Sequence, residues 1–154
     1  GTRNFYTVKK PVKRPEDLRG LKIRVQQSPT NIEMMRLLGG SATPMGFGDV
    51  YTALQSGVID GAENNEMALT DNGHGDVCRY YSYDMHQMVP DLLIGNYGFL
   101  ESLTEEERAV FEEGFEELER VQQEEWGKAV EAAREKAEKE QKVMFVVLSP
   151  NMQT

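Results

Sequence analysis

The chain has 154 residues, 39% of them hydrophobic, and a mean hydropathy of -0.56; it can bury one core, and no apolar run approaches the roughly 20 residues that span a bilayer. Its net charge of -9 repels nucleic acid and anionic membranes. One cysteine, Cys78, and two well-separated histidines, His74 and His86, leave no internal disulfide and no metal-ligand spacing.

The charge is uneven. Among the first 24 residues eight Lys or Arg stand against Glu16 and Asp17, so a small anion can be held locally there, whereas residues 101–142 carry fifteen acids against seven bases. The chain opens Gly1-Thr2-Arg3 without a basic or apolar leader, so any signal peptide is expected to have been removed or to lie outside this sequence.

Residues 4–8 alternate weakly and read as a strand, followed by a charged connection over 9–17 punctuated by Pro11 and Pro15. Leu21, Ile23 and Val25 then alternate with Lys22 and Arg24, the period of a half-buried strand. Pro29, Thr30 and Asn31 start a helix with Ile32, Met35 or Met34, and Leu38 at helical spacing, and Gly39-Gly40 stops it. Residues 41–45 return as an extended segment. A second helix runs over 49–56, where Val50, Ala53 and Leu54 share a face and Gly57 supplies a left-handed cap. Val58-Ile59 between glycines then feeds the polar cluster Asp60, Glu63, Asn64 and Asn65. This is an α/β pattern, with Arg24 and Asn64 at strand ends, where open α/β sheets hold their ligands.

Beyond Asn65 the glycine-rich stretch 71–76 breaks whatever helix Glu66 begins. Residues 79–85 and 89–99, rich in Tyr, Val, Leu and Ile, read as strands paired with each other or with the earlier sheet. Thr104 with Glu107 forms a capping box, and no proline follows until Pro150, so a helix of nearly forty residues is expected, longer than a small domain is wide. Val110, Phe111, Phe115, Leu118, Val121, Trp126, Val130 and Ala133 give it the stripe of an amphipathic packing helix rather than a coiled coil. Residues 143–148 are a buried-type strand.

Several side chains carry candidate chemistry, each with a plainer alternative. A guanidinium such as that of Arg24 recognises a carboxylate bidentately, but an arginine on a strand also serves as a surface or internal ion pair; Arg3 has the same two readings. Asn64 and Asn65 suit carboxylate or hydroxyl groups, or simply a turn. Phe47, between two glycines, is a core plug or the apolar wall of a pocket. Asp60 and Glu63 read either as a paired-carboxylate acid/base site, as in a hydrolase or isomerase, or as caps and ion pairs near a strand end; the second is favoured because no nucleophile or metal accompanies them. Ser28 and Ser56 lack a nucleophile-elbow context, the glycines form no phosphate-cradling fingerprint, and Cys78 reads as a buried structural thiol.

The succession 17–25 (Asp-Leu-Arg-Gly-Leu-Lys-Ile-Arg-Val), Gly39, Thr43-Pro44-Met45, Phe47, the run 50–57 (Val-Tyr-Thr-Ala-Leu-Gln-Ser-Gly) and the run 58–64 (Val-Ile-Asp-Gly-Ala-Glu-Asn) resembles the substrate-binding proteins of TRAP transporters, the DctP-type family. The match spans residues 3 to about 142. The resemblance implies an extracytoplasmic, periplasmic-binding-protein-like α/β receptor, two-lobed and non-catalytic, without cofactor, that closes on a small organic acid and delivers it to a membrane permease driven by an ion gradient. By the same resemblance Arg24 makes the principal salt bridge to the ligand carboxylate, Arg3 and Asn64 assist it, Phe47 lines the pocket, and the helix from Thr104 runs across both lobes.

Family members are about twice this length. The expected organisation is therefore a second ligand-binding lobe over 1–100, the spanning helix over 101–142, and a returning strand and truncated tail over 143–154, with a first lobe preceding Gly1. A fragment of that kind is expected to dimerise or exchange its long helix. Asn65, where proline is common, and Met88-Val89-Pro90 look more like members that take sugar acids such as uronates. The competing class is a sensing or protein-interaction domain that uses the long acidic helix.

Overall fold

The alternations of the first half all become strands of one sheet, in a computed structural model that describes residues 1–148. The strands are β1 (Thr2–Thr7), β2 (Lys22–Val25), β3 (Ser41–Pro44), β4 (Gly61–Asn64), β5 (Tyr80–Met88) and β6 (Met144–Val147), in the order β3-β2-β4-β1-β5-β6. β2 pairs in parallel with β3 and β4, β1 runs antiparallel to β4 and β5, and β6 is parallel to β5. Helices α1 (Pro29–Leu37), α2 (Val50–Gln55), α3 (Met67–Thr70), α4 (Tyr97–Ser102) and α5 (Glu105–Lys139) complete the mixed α/β fold.

Strand alternation divides the core into two layers, one on each side of the sheet. Phe5, Ile23 and Val25 bury against Met35 of α1, with Val12 and Leu18 closing the edge. On the other face Tyr6, Ala62 and Tyr81 pack with Val50, Ala53 and Leu54 of α2, Ala68 and Leu69 of α3, and Ala137 near the end of α5. Each large side chain so buried stabilises the fold by about 1.5–3 kcal/mol, and truncating Met35 to alanine costs about 2–5 kcal/mol. Of the apolar positions assigned to α1, Met35 is the anchor; Ile32 faces outward at 39% exposure. Cys78 is buried in the second layer, and burial pushes its thiol up to about 12, as befits a structural residue.

Two glycines shape the strand that carries the site. Gly57 closes α2 with φ +74°, which no branched side chain adopts readily. A Cβ on Gly61 would meet the Tyr6 carbonyl oxygen, so only glycine lets β4 lie this close to β1. Asp60 ties the same turn to β2: its amide donates to the Lys22 carbonyl (2.8 Å) and its Oδ2 accepts from the Lys22 amide (2.9 Å).

Residues 89–99 are not a strand. β1 begins at Thr2, opposite Met88, and β6 reaches only as far as Tyr83, so no strand runs beside residues 89–99, and Pro90 removes a ladder donor. Residues 89–96 run without regular structure, Leu92, Leu93 and Ile94 stay exposed, and Asn96 caps α4 by accepting from the Phe99 amide (3.0 Å).

The long helix forms as its sequence predicts. Thr104 Oγ1 accepts from the Glu107 amide (3.2 Å) while Glu107 Oε2 accepts from the Thr104 amide (2.8 Å), and the acids of the first turn complement the helix dipole. Its 35 residues span about 50 Å. The packing differs from expectation: only Ala133 and Ala137 are buried, so α5 is anchored through its C-terminal end. Val110, Phe111, Phe115, Leu118 and Val121 remain exposed, with Phe111 touching Phe99 of α4. In the strand expected over 143–148, Val143 and Leu148 are buried while Met144 and Val147 lie exposed along the sheet edge; the tail beyond Leu148 lies outside the described residues.

Candidate functional site

The parallel trio β2, β3 and β4 ends along one edge of the sheet, and antiparallel β1 begins there. Arg24 lies in the last turn of that edge on β2, Asn64 ends β4, Met45 and Phe47 follow β3, and Arg3 enters β1. Arg24 is in register with Ala62, so its side chain and that of Asn64 point to the α2 and α3 face. Arg3 belongs to the opposite, α1 face and reaches Asn64 only at the rim.

Arg24 is 3% exposed, yet it pairs with no carboxylate among the described residues. Its Nε and Nη2 both donate to the Met45 carbonyl (3.2 and 2.9 Å), which aims the guanidinium and leaves Nη1 without a hydrogen bond among those residues. Burial lowers its affinity for the proton, and the nearby Tyr6 and Glu63 only partly offset that. The Phe47 ring covers it, with Cζ 5.5 Å from the ring centroid. At 39% exposure Phe47 is not a core plug.

Arg3 is spoken for. Its Nε donates to Glu63 Oε2, its Nη2 to Glu63 Oε1 and to the Glu63 carbonyl (both 2.9 Å), and its Nη1 to Asn64 Oδ1 (3.1 Å). Asn64 is fixed in turn: the Asn65 amide donates to its Oδ1 (2.9 Å) and the Tyr81 hydroxyl to its carbonyl (2.9 Å). Asn65 contributes that backbone amide and a carbonyl that accepts from the Ala68 amide (3.3 Å); its side chain has no hydrogen bond among the described residues. Asp60 and Glu63 therefore do not form an acid/base pair: one caps a turn and the other holds Arg3.

Behind Glu63 stands a second layer. His86 stacks on Phe5 (4.1 Å), binds Asp84 Oδ2 through Nδ1 (2.6 Å), and holds Nε2 3.6 Å from Glu63 Oε2, a charge contact rather than a hydrogen bond. Burial works against the imidazolium, but the Asp84 and Glu63 carboxylates outweigh it and raise the His86 value above the usual 6.5. Burial likewise opposes the Glu63 carboxylate, and His86 and Arg3 more than compensate, holding it below 4.5.

Neither histidine was marked by its sequence context. His74 sits in the stretch that reads only as a helix breaker, after Gly73 with φ +70°, and it is 1% exposed. Its Nδ1 meets the Tyr6 hydroxyl at 2.8 Å and its ring lies 5.4 Å from that of Phe47. Burial first, and the charge of Arg24 second, push it down to about 4. Among the described residues no three His, Cys, Asp or Glu side chains converge on a metal position, and no helix is long and apolar enough to cross a membrane. The arrangement brings together one guanidinium aimed by Met45 and without a carboxylate partner among the described residues, a fixed amide and a half-exposed aromatic ring.

The family model described as bacterial extracellular solute-binding protein, family 7, matches residues 1–154. An uncharacterised protein of Salmonella typhimurium, YiiZ, is 48% identical over 145 residues, covering 94% of this chain and 44% of its own. A periplasmic solute-binding protein of a TRAP system from Anaerococcus prevotii, solved with bound D-glucuronate, is 68% identical with a TM-score of 0.86 over 97% of this chain and 48% of that one. Its counterpart from Xanthobacter autotrophicus Py2, with bound β-D-galacturonate, is 37% identical with a TM-score of 0.86 over 99% of this chain and 51% of that one. The chain thus spans under half the length of the curated relatives it matches and about half that of the solved structures.

Proposed function

Because the chain belongs to the bacterial extracellular solute-binding proteins of family 7, the DctP family, we propose that it supplies the carboxylate-reading wall of a TRAP-type receptor for a sugar acid of the uronate class. Arg24 is the observation that carries this reading. A buried guanidinium with no carboxylate in salt-bridge contact among the described residues is a poor structural choice, since an unpaired buried charge destabilises a fold by several kcal/mol. A ligand carboxylate at Nη1 supplies the missing charge, and Met45 and Phe47 already hold the fork in place for it. Arg3 acts one step back, by fixing Asn64, and Asn64 and Asn65 offer amide groups for the hydroxyls of a sugar. Both solved relatives named above hold uronates, which supports that ligand class.

In this proposal residues 1–100 form one lobe, α5 extends across a second lobe of the kind the relatives' unmatched length provides, and the receptor works in the periplasm with a membrane permease as its partner. The exposed stripe of α5 and the apolar residues 92–94 are then covered by that lobe, or by a second copy when the 154-residue chain is alone.

Thermal unfolding of the full-length protein against D-glucuronate, D-galacturonate, aldonates, dicarboxylates and the matching neutral amides tests the reading. A uronate at 100 times its dissociation constant adds about 2.7 kcal/mol of stability, and its amide adds little. A folded protein that responds to no acid overturns it and favours the interaction-domain alternative.

A further inference from the structure

Tyr6 carries a buried hydroxyl, 1% exposed, whose one hydrogen-bond partner among the described residues is His74 Nδ1. A phenol must donate its proton somewhere when buried. Here the only acceptor is Nδ1, so the imidazole is the neutral tautomer with its proton on Nε2. The burial of His74 and the neighbouring charge of Arg24 both favour that neutral form. Tyr6 also fixes the ring's tilt, with centroids 5.7 Å apart. On its other side His74 meets Phe47 at 5.4 Å, and Phe47 in turn covers the Arg24 guanidinium at 5.5 Å. Four residues from β1, β2 and the turns after β3 and α3 thus stand in one line, Tyr6, His74, Phe47, Arg24.

We infer that the Tyr6–His74 pair is a positioning device for ligand recognition, keeping Phe47 over the guanidinium while Nη1 of Arg24 is left to meet a carboxylate. The inference rests on the uronate-receptor reading above and assigns it two residues that do not themselves touch the ligand. Phe47 sits between Gly46 and Gly48 with 39% of its surface exposed, and its recorded ring contacts are His74 and the Arg24 guanidinium. A loose ring would let water and alternative rotamers compete for the guanidinium face, and the loss would appear in affinity for the acid. A neutral imidazole is required in that place, because an imidazolium would stand with a second cation across one ring.

The test is a set of calorimetric titrations of the full-length protein with D-glucuronate. His74→Phe, which keeps an aromatic ring but removes the acceptor, and Tyr6→Phe, which deletes one oxygen, are each expected to weaken binding about tenfold, the scale of one buried hydrogen bond. The double variant is expected to be no weaker than either alone, because the pair acts as a unit. In a Phe47→Leu background His74→Phe is expected to add nothing, an outcome that a general loss of stability would not give. Should His74→Phe fail to fold, Tyr6→Phe and its cycle with Phe47→Leu carry the test. Unchanged affinity in Tyr6→Phe, or full additivity with Phe47→Leu, overturns the assignment while leaving the receptor reading intact. No uronate binding in the parent protein overturns the receptor reading, and this assignment with it.

Discussion

Glu63 and Arg3, 60 residues apart in sequence, meet across the β1–β4 ladder, and the carboxylate accepts from both Nε and Nη2 of the guanidinium. Glu63 is fully buried, so the pair is a committed one. This pairing distinguishes the two arginines: Arg3 has a carboxylate and, among the described residues, Arg24 has none.

Breaking that pair leaves a buried cation uncompensated. Glu63→Gln is expected to destabilise the fold by about 3–5 kcal/mol in urea unfolding. A loss under about 1 kcal/mol would show that Arg3 reaches solvent and that the pair is dispensable.

The two histidines set opposite limbs of the pH–stability profile. His86, raised above 6.5, contributes fully below pH 6.5 and loses its contribution as pH rises through the raised value. His74, held at about 4, contributes fully above pH 6.5 and loses its contribution between pH 6.5 and about 4, on the order of 3 kcal/mol at most. Glu63, held below 4.5, adds a further loss only below that pH. Stability is therefore expected to peak near pH 6.5. Urea midpoints from pH 4 to 8.5 check this: His86→Gln should remove the alkaline limb and His74→Phe should flatten the acid one. An unchanged profile in both variants would contradict the assignment.

Thr104→Ala removes half of the capping box at the free end of α5, worth about 1 kcal/mol to the helix. Because that end packs on little besides α4, the effect should be local. Hydrogen exchange is expected to quicken over residues 104–120 while β1, β2 and β4 keep their protection; an equal rise across the sheet would mean that the helix N-terminus is integral to the core.

The exposed stripe gives a prediction for the isolated 154-residue chain. Sedimentation equilibrium at micromolar concentration should find a dimer, and the double substitution Phe111→Ser and Phe115→Ser should return a monomer. A monodisperse parent monomer would count against association through α5.

Much of this was legible in the sequence, for physical reasons that can be named. β2 and α2 announce themselves because their apolar periods match the layers they fill, and Thr104 with Glu107 marks the start of α5 within a residue. The strand expected over 89–99 failed because composition cannot say that β1 gives out opposite Met88 and leaves the following residues without a neighbouring strand. That only the C-terminal end of α5 is buried here was not legible, because an apolar stripe shows that a face seeks a partner, not where the partner is. At the candidate site, Arg24 and Asn64 were singled out by their places at strand ends, and Phe47 took a pocket role only through the family resemblance. The Glu63 partner of Arg3 and the His74 partner of Tyr6, 60 and 68 residues away, are products of sheet register, which no local pattern records.

The central claim is that Arg24 is held unpaired for a ligand carboxylate, and calorimetric titration of full-length Arg24→Ala with D-glucuronate tests it most directly. The account predicts a loss of at least 2 kcal/mol, about thirtyfold, with the unfolding transition retained. Affinity equal to the parent's would contradict it and leave Arg24 as a structural arginine.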